Sequence, residues 1–432
     1  MGIFALLLRA LSWWQAAALA ALALLFNIFV LPRLGGQRLY RPADTARGFP
    51  TGIVLYPLAV LLLILTFPSR PDIAAAAWGI LAVGDGSATL VGRRIGGPRI
   101  PWNRDKTLAG SVSFAVLGAA AGVLLAWWTR PAVTPPPSWW FVLGAPTAAA
   151  IIAAVVETMP VRLDDNLAVP AVAAAVLWGL SLTSVGAGAA SWPGIRAALG
   201  PAALVNGLVA MAGWRSRTVS GPGALVGAAI GVVIYACTGV WGWVLLFVTF
   251  LIASLSSRIG LRRKSVLGIA EERGGRRGPG NALANCGVAA AAAVVAALSP
   301  HRDAALLVFA TALTAGGSDT VASEIGKAWG RRTFLITGFR SVQPGTSGAI
   351  SLEGTAAGLL AASALAALAV ASDLIPAQLL AAVVIGATIG SLVESVLGAT
   401  LEPRGILNND LLNFINTAVG SGAAVAVARV VA

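Results

Sequence analysis

Histidine, cysteine and lysine are almost missing from this chain of 432 residues. The single histidine, His301, stands in a Ser-Pro-His-Arg-Asp turn, which reads as an interfacial loop and sets aside imidazole catalysis and histidine-held metals. Cys237 and Cys286 both lie in apolar stretches and offer neither a disulfide framework nor a CxxC zinc site. The lysines are Lys106, Lys264 and Lys327. Charged residues make up 11% of the chain, where a soluble globular protein carries about 25%. Several signatures are missing too. There is no GxxxxGK[ST] phosphate loop, no kinase HRD or DFG set and no GxSxG elbow. A soluble nucleotide enzyme of the common classes is thereby excluded.

What the chain has is apolar length. It is 57% hydrophobic with a mean hydropathy of +0.84, the composition of an all-α polytopic integral membrane protein. A span needs about 20 apolar residues. About fourteen such segments run at 4–31, 52–67, 72–91, 107–128, 139–157, 167–188, 193–213, 222–239, 240–256, 281–298, 304–325, 349–371, 376–396 and 411–431. The pair within 222–256 also reads as one re-entrant element. The first run is too long for the core of a cleaved signal and lacks a basic leader, so a retained span is expected. Trp13-Trp14, Trp127-Trp128 and Trp139-Trp140 suit the membrane–water interface.

The net charge of +13 belongs to the loops rather than to a nucleic-acid-binding domain, for which there is no soluble basic region. With the N-terminus outside, the inner loops hold Arg33, Arg38, Arg41, Arg47, the Arg93–Lys106 cluster, Arg162, Arg215, Arg217, the basic stretch 256–280, Lys327 to Arg340, and Arg404. The outer loops hold Arg70, Arg130 and Arg302. That asymmetry predicts an inner, cytoplasmic membrane with these loops facing the cytoplasm. The stretch 256–280 reads as a lipid-attracted linker or as a lid over a phosphate site, and it suggests a nearby domain boundary.

Two stretches resemble each other. "DGSATLVGRRIG" at 85–96 and "DTVASEIGKAWG" at 319–330 both read D-x-x-A-[ST]-x-[VI]-G-[RK]-x-x-G. A basic loop follows each, then a small-residue turn, "LAGSVS" at 108–113 and "GTSGAIS" at 345–351. Each half then ends a span on a glutamate, Glu157 or Glu394, followed by an acid and amide cluster, "RLDDNLAVP" at 162–170 or "ILNNDLLNF" at 406–414. The order predicts two tandem parallel repeats, divided here as 1–190 and 191–432.

Acids at membrane depth are costly and mark function. Asp85, Asp105, Glu157, Asp319 and Glu394 are the candidate catalytic groups, with Glu324 nearby in the second signature. Asp85, Asp164, Asp165 and Asn166 in one half, and Asp319, Asn409 and Asp410 in the other, form oxygen-rich sets suited to Mg²⁺. Arg93, Arg104, Lys106, Gly110 and Ser111, and then Lys327, Arg340, Gly345, Thr346 and Ser347, are the candidates for holding phosphate through cations, hydroxyls and helix-end amides. Metal, cationic clamps and alignment suffice for phosphoryl transfer.

At these residues a family resemblance becomes specific. "GDGSATLVGRRIG", "IPWNRDKTLAGS" and "ETMPVRLDDNLAVP" in residues 50–190 resemble the CTP-dependent polyprenol kinases, which include phytol, farnesol and dolichol kinases. "NALANCG", "GGSDTVASEIGKAWG", "SVQPGTSGAISLEGTAAG" and "NNDLLNFINT" in residues 200–432 resemble the family of plant phytyl-phosphate kinase and transmembrane protein 19. The resemblance implies two successive phosphorylations of an isoprenoid alcohol, first to the monophosphate and then to the diphosphate, with CTP as donor and Mg²⁺. Nothing in the residues separates CTP from another nucleoside triphosphate. The implied partners are the isoprenoid alcohol or its phosphate, the nucleotide and the bilayer, with no nucleic acid; a homodimer stays open. Two other readings remain: a transporter with parallel repeats, and a CTP-dependent lipid cytidylyltransferase.

Overall fold

The computed structural model describes residues 2–34, 51–101, 103–159, 164–269 and 276–431. Arg38, Arg41, Arg47 and Arg162 lie outside the described residues. The chain forms two compact units, Met1–Ser181 and Leu182–Ala432. The division falls nine residues before the 190/191 boundary, because Val185–Arg215 is one uninterrupted helix that a cut at 190 would sever.

The first unit contains α1 (Trp13–Leu25), α2 (Thr51–Thr66), α3 (Pro71–Ile95), α4 (Leu108–Thr129), α5 (Trp139–Thr158) and α6 (Asp165–Ser181). Its centre is α3, which packs against α2, α4 and α6. Pro71 occupies the first turn, where a missing N–H costs nothing, and Ala74 to Ala77 are all buried. Small side chains allow neighbouring helices to approach closely, which is the main attraction between helices in lipid. The buried Asp72 is held by both Nε and Nη2 of Arg70, at 2.9 and 2.8 Å. Residues Ile80–Asp85 of α3 form a π-helical turn, a feature that often marks a functional site, and Asp85 is its last residue.

The second unit contains α7 (Val185–Arg215), α8 (Gly221–Arg258), α9 (Leu261–Val266), α10 (Pro279–Leu298), α11 (Arg302–Trp329), α12 (Leu352–Ala371), α13 (Leu380–Thr400) and α14 (Asn409–Val431). Its central helix is α11, buried along most of its length by α10, α12, α13 and α14. The α13–α14 contact is closest at Gly386 and Gly390, which lie directly on the backbone of Gly420 and Asn416.

The 38 residues of α8 do not form one rod. Gly239 has φ 77°, ψ −170°, a conformation only glycine adopts readily. Asn206 lies against Gly231 and also accepts a hydrogen bond from Trp243 Nε1 at 3.0 Å. In a straight helix those two positions would stand about 18 Å apart. So α8 is a helical hairpin that reverses at Gly239, where the two expected segments meet.

The expected segments are largely helical, but 167–188 is broken at 182–184, where the first unit ends, and 349–371 opens in a short strand. Among the described residues, eleven helices are long and apolar enough to cross a membrane. The count is lower because Gly52–Thr66 and Asp165–Ser181 are shorter, and because the two arms of the α8 hairpin are counted together. Two short antiparallel hairpins were not expected: β1 (Arg99–Ile100) with β2 (Asn103–Thr107), and β3 (Thr333–Leu335) with β4 (Ala349–Ser351). Each follows the central helix of its unit and delivers a capping hydroxyl to the next helix. Thr107 accepts from Gly110 N–H, and Ser351 from Gly354 N–H. Caps of this kind stabilise a helix by about 1 kcal/mol.

The same packing surrounds both caps. Gly92 lies against Thr107 and Gly110 in the first unit; Gly326 lies against Ser351 and Gly354 in the second. Gly110 also approaches the carbonyl of Ala88, and Gly354 that of Ala322.

Candidate functional site

In the first unit four elements converge on one point. Asp85 ends the π-turn of α3, Glu157 stands in the last turn of α5, Asp165 opens α6, and Lys106 projects from β2. One oxygen from each of Asp85, Glu157 and Asp165 lies within 4.8 Å of the other two. The Lys106 ammonium donates to Glu157 Oε1 and to Asp165 Oδ2, the latter at 3.1 Å. Glu157 is buried, with its side chain 3% exposed, whereas Asp165 is 39% exposed. Burial pulls the Lys106 ammonium toward release of its proton. The hydrogen bond to Glu157 and the charges of Asp165 and Glu157 outweigh that, and its pKa sits above the ordinary lysine value. Asp165 in the first turn of α6 is also favoured by the helix dipole.

The donor set suits a hard divalent cation. Three carboxylates and one ammonium leave two formal negative charges at a point rich in oxygen. Other expected members lie elsewhere. Asp105, next to Lys106 on the strand, points the opposite way and is exposed. Asp164 and Asn166 bind each other: Asp164 Oδ1 accepts the Asn166 backbone N–H at 2.9 Å and its side-chain amide at 2.7 Å. Asp164 thereby starts α6. Arg93 and Arg104 are exposed. Gly110 and Ser111 serve the helix start, since Gly110 N–H caps onto Thr107 Oγ1 and Ser111 Oγ donates to the Thr107 carbonyl at 3.3 Å.

The second unit gathers Asp319 of α11, Ser391 and Glu394 of α13, and Asn416 of α14. Ser391 Oγ donates to Asp319 Oδ1 at 2.6 Å. The Glu394 carboxylate interacts with both Asp319 and Asn416. Asn416 is fully buried. Two acceptors in this cluster, Glu394 Oε2 and Asn416 Oδ1, have no hydrogen-bond partner among the described residues. Orphaned buried acceptors beside two carboxyl groups are what a bound cation would satisfy. The donor set therefore fits Mg²⁺ here too.

Lys327 does not point into this cluster. It pairs with Glu324 at 2.9 Å, and the other Glu324 oxygen takes Lys264 at 2.5 Å. Lys264, on α9 within the basic stretch 256–280, is buried and also donates to the Ser257 carbonyl. Asp410 packs instead on Gly280, at the positive N-terminus of α10, and Asn409 is exposed at the start of α14. Ser347 binds the end of α13 through the Gly398 carbonyl and Glu402, Thr346 donates to the Gln343 carbonyl, and Gly345 takes the positive φ of their turn. Arg340 is exposed.

Sequence reasoning missed Ser391, Asn416 and Lys264. Ser391 carried a usable signal, because residues three apart share a helix face and Glu394 is three further on. Asn416 and Lys264 carried none, an uncharged amide and one cation among many.

Comparison with known proteins follows the same lines. The family model of integral membrane protein DUF92 matches residues 204–421. An uncharacterized membrane protein of Synechocystis is 39% identical over 201 residues, 46% of this chain and 78% of that protein. Protein VTE6, chloroplastic, of Arabidopsis thaliana is 37% identical over 202 residues, 44% of this chain and 60% of its own. Probable phytol kinase 2, chloroplastic, of Glycine max is 33% identical over 137 residues, 31% of this chain and 46% of its own. The chain thus spans less than two thirds of the Arabidopsis and soybean relatives. No solved structure matches it.

Proposed function

The chain belongs to the integral membrane family DUF92, and we propose that it is a membrane-embedded isoprenoid kinase with two active units. The first unit phosphorylates an isoprenoid alcohol such as phytol or geranylgeraniol. The second phosphorylates the monophosphate to the diphosphate. The observation that carries the reading is the convergence of Asp85, Glu157, Asp165 and Lys106 from four separate elements. A relative named as a probable phytol kinase supports the substrate class. CTP, the donor implied by the family resemblance, or another nucleoside triphosphate supplies the phosphoryl group. The recurrence of the Gly92/Thr107/Gly110 packing as Gly326/Ser351/Gly354 supports a duplicated module. Both sites face the cytoplasm, where the basic loops lie.

In the first unit Asp85 and Asp165 would hold Mg²⁺, which would offset the negative charge of the phosphates. Glu157 accepts the proton of the acceptor hydroxyl. The alcohol oxygen bonds to the terminal phosphorus as the bond from that phosphorus to the bridging oxygen breaks, leaving the nucleoside diphosphate. Lys106 holds Glu157 and Asp165 in place, and Arg93 and Arg104 contribute positive charge toward the phosphates. In the second unit the attacking group is already an anionic phosphate oxygen. Asp319, Glu394 and Asn416 would then hold the cation, and no proton need be removed.

The test is product analysis with purified protein in lipid nanodiscs, γ-labelled CTP or ATP, Mg²⁺ and phytol or geranylgeraniol. Wild type should yield labelled mono- and diphosphate. D319N should stop at the monophosphate. D85N should fail on the alcohol yet convert supplied monophosphate. Normal monophosphate from D85N, or no labelled lipid from wild type, would overturn the assignment. Release of pyrophosphate would identify a cytidylyltransferase instead.

A further inference from the structure

The second unit carries a partly open cleft with a cavity volume of about 130 Å³, lined by α7, both arms of α8, α10 and α11. Ligand pockets commonly have mostly apolar walls and a few placed polar groups. This one follows that rule. Trp243, Phe247 and Phe250 face glycine and alanine positions such as Gly227 and Ala228 across it. At one end stand Arg277 and Asn281; at the other, Asn206 and Trp243 close the floor. The floor pair is satisfied, since Asn206 Oδ1 accepts from Trp243 and its amide donates to the Ala202 carbonyl. From Gly223, beside Arg277, to Gly231, beside Asn206, is eight residues of helix, about 12 Å.

Two further observations point to an occupant. Gly316, Gly317 and Thr320 of α11 form part of the wall, so the cleft runs alongside the turn that carries Asp319. Asn285 Oδ1, which lines it, is buried without a hydrogen-bond partner among the described residues. An apolar slot with a guanidinium at one end and an acid-bearing helix for a wall has the polarity of a phosphorylated lipid.

We infer that this cleft seats the isoprenyl chain of a lipid monophosphate, with the phosphate at Arg277 and Asn281. The inference rests on the kinase reading for its substrate class. The first ~12 Å of the chain is what the protein grips, so recognition concerns the isoprenyl segment nearest the phosphate.

The experiment uses the full chain in nanodiscs with a diazirine-bearing geranylgeranyl monophosphate. Gly227 lines the cleft, and a side chain there meets no atom within 4 Å at its first carbon. G227L therefore fills the cleft without forcing the backbone. Gly207 is equally unobstructed but exposed and outside the cleft, so G207L is the control. Wild type should be labelled on 221–258. G227L should lose that label by about tenfold or more, equivalent to ~1.4 kcal/mol of binding, and G207L should keep it. R277Q, which needs no new volume, should weaken labelling by the monophosphate but not by the matching alcohol probe. Label elsewhere, or label on 221–258 indifferent to both G227L and R277Q, overturns the inference. Diphosphate synthesis by wild type is scored in the same samples, so its absence counts against the kinase reading separately.

Discussion

Replacing Lys106 with methionine should make the first unit dependent on a divalent cation. The side chain keeps most of its length but loses the charge that separates three carboxylates. Two contacts are lost, and they are unequal. Asp165 is 39% exposed, and an ion pair so wetted contributes about 1 kcal/mol or less. Glu157 is 3% exposed, and removing one partner of a buried pair costs about 3–5 kcal/mol because the other charge is left behind. Lys106 is itself 27% exposed, which places the loss near the lower end, about 3 kcal/mol. Repulsion gives a similar figure: two like charges 4.8 Å apart oppose each other by about 3.5 kcal/mol at an effective dielectric of ~20. For a unit of this size that corresponds to roughly 6–12 °C in unfolding temperature. The assay is thermal unfolding in nanodiscs at pH 8, with EDTA or with millimolar Mg²⁺. K106M should melt well below wild type in EDTA, recover much of the difference in Mg²⁺, and recover it without metal when E157Q is added. If K106M melts within about 2 °C of wild type in EDTA, the ammonium does not hold the cluster together.

Other measurements test neighbouring steps. Because Lys106 is held above its ordinary value of 10.5, its stabilisation is complete below that pH and is lost as pH rises through the raised value; the wild-type minus K106M difference should be flat from pH 7 to 10 and shrink above, and a decline between pH 7 and 9 would contradict this. A β-carbon at Gly386 would lie 2.5 Å from the Gly420 carbonyl, so G386A should cost about 1–3 kcal/mol in unfolding, whereas G422A, with open space, should melt like wild type. Lys264 is 1% exposed on Glu324, so K264M should lower the unfolding temperature and K264M/E324Q should regain most of it; equal melting of both variants would count against the pair.

The helices were legible because a run of apolar residues in lipid has one way to satisfy its backbone. The reversal at Gly239 was legible as a boundary, though not as a hairpin, since the partner that fixes the fold-back, Asn206, lies more than 30 residues away. The strands were not legible. Asn103 to Thr107 carries three charges in five residues, and its pairing with Arg99 and Ile100 comes from closing the connection between α3 and α4 rather than from strand propensity. Within the site, adjacent aspartates posed a question of register. Asp164 and Asp165 are chemically equal, and only the start of α6 decides that the first caps and the second turns toward Lys106. Asp410 and Asn416 show the opposite difficulty: a search led by charge selects Asp410, while the buried amide two turns on is the group that meets Glu394.

The two clusters differ in how their acids are neutralised, and the difference starts from single positions in the matched signatures. Leu90 of the first signature is 68% exposed, whereas Glu324 at the equivalent place in the second is 2% exposed. A buried glutamate demands a cation, and it takes both Lys327 from its own helix and Lys264 from α9. Those ammonium groups anchor the connecting segment to α11, and neither hydrogen-bonds Asp319 or Glu394. The first unit does the reverse: its hairpin lysine goes to the clustered acids Glu157 and Asp165, and Arg93, at the place of Lys327, stays exposed. Two carboxyl groups in one cluster, with two orphaned acceptors and, among the described residues, no ammonium hydrogen-bonded to them, call for a bound cation to a degree that the Lys106 cluster does not. Under the kinase reading, that asymmetry makes the second phosphorylation the step more sensitive to magnesium.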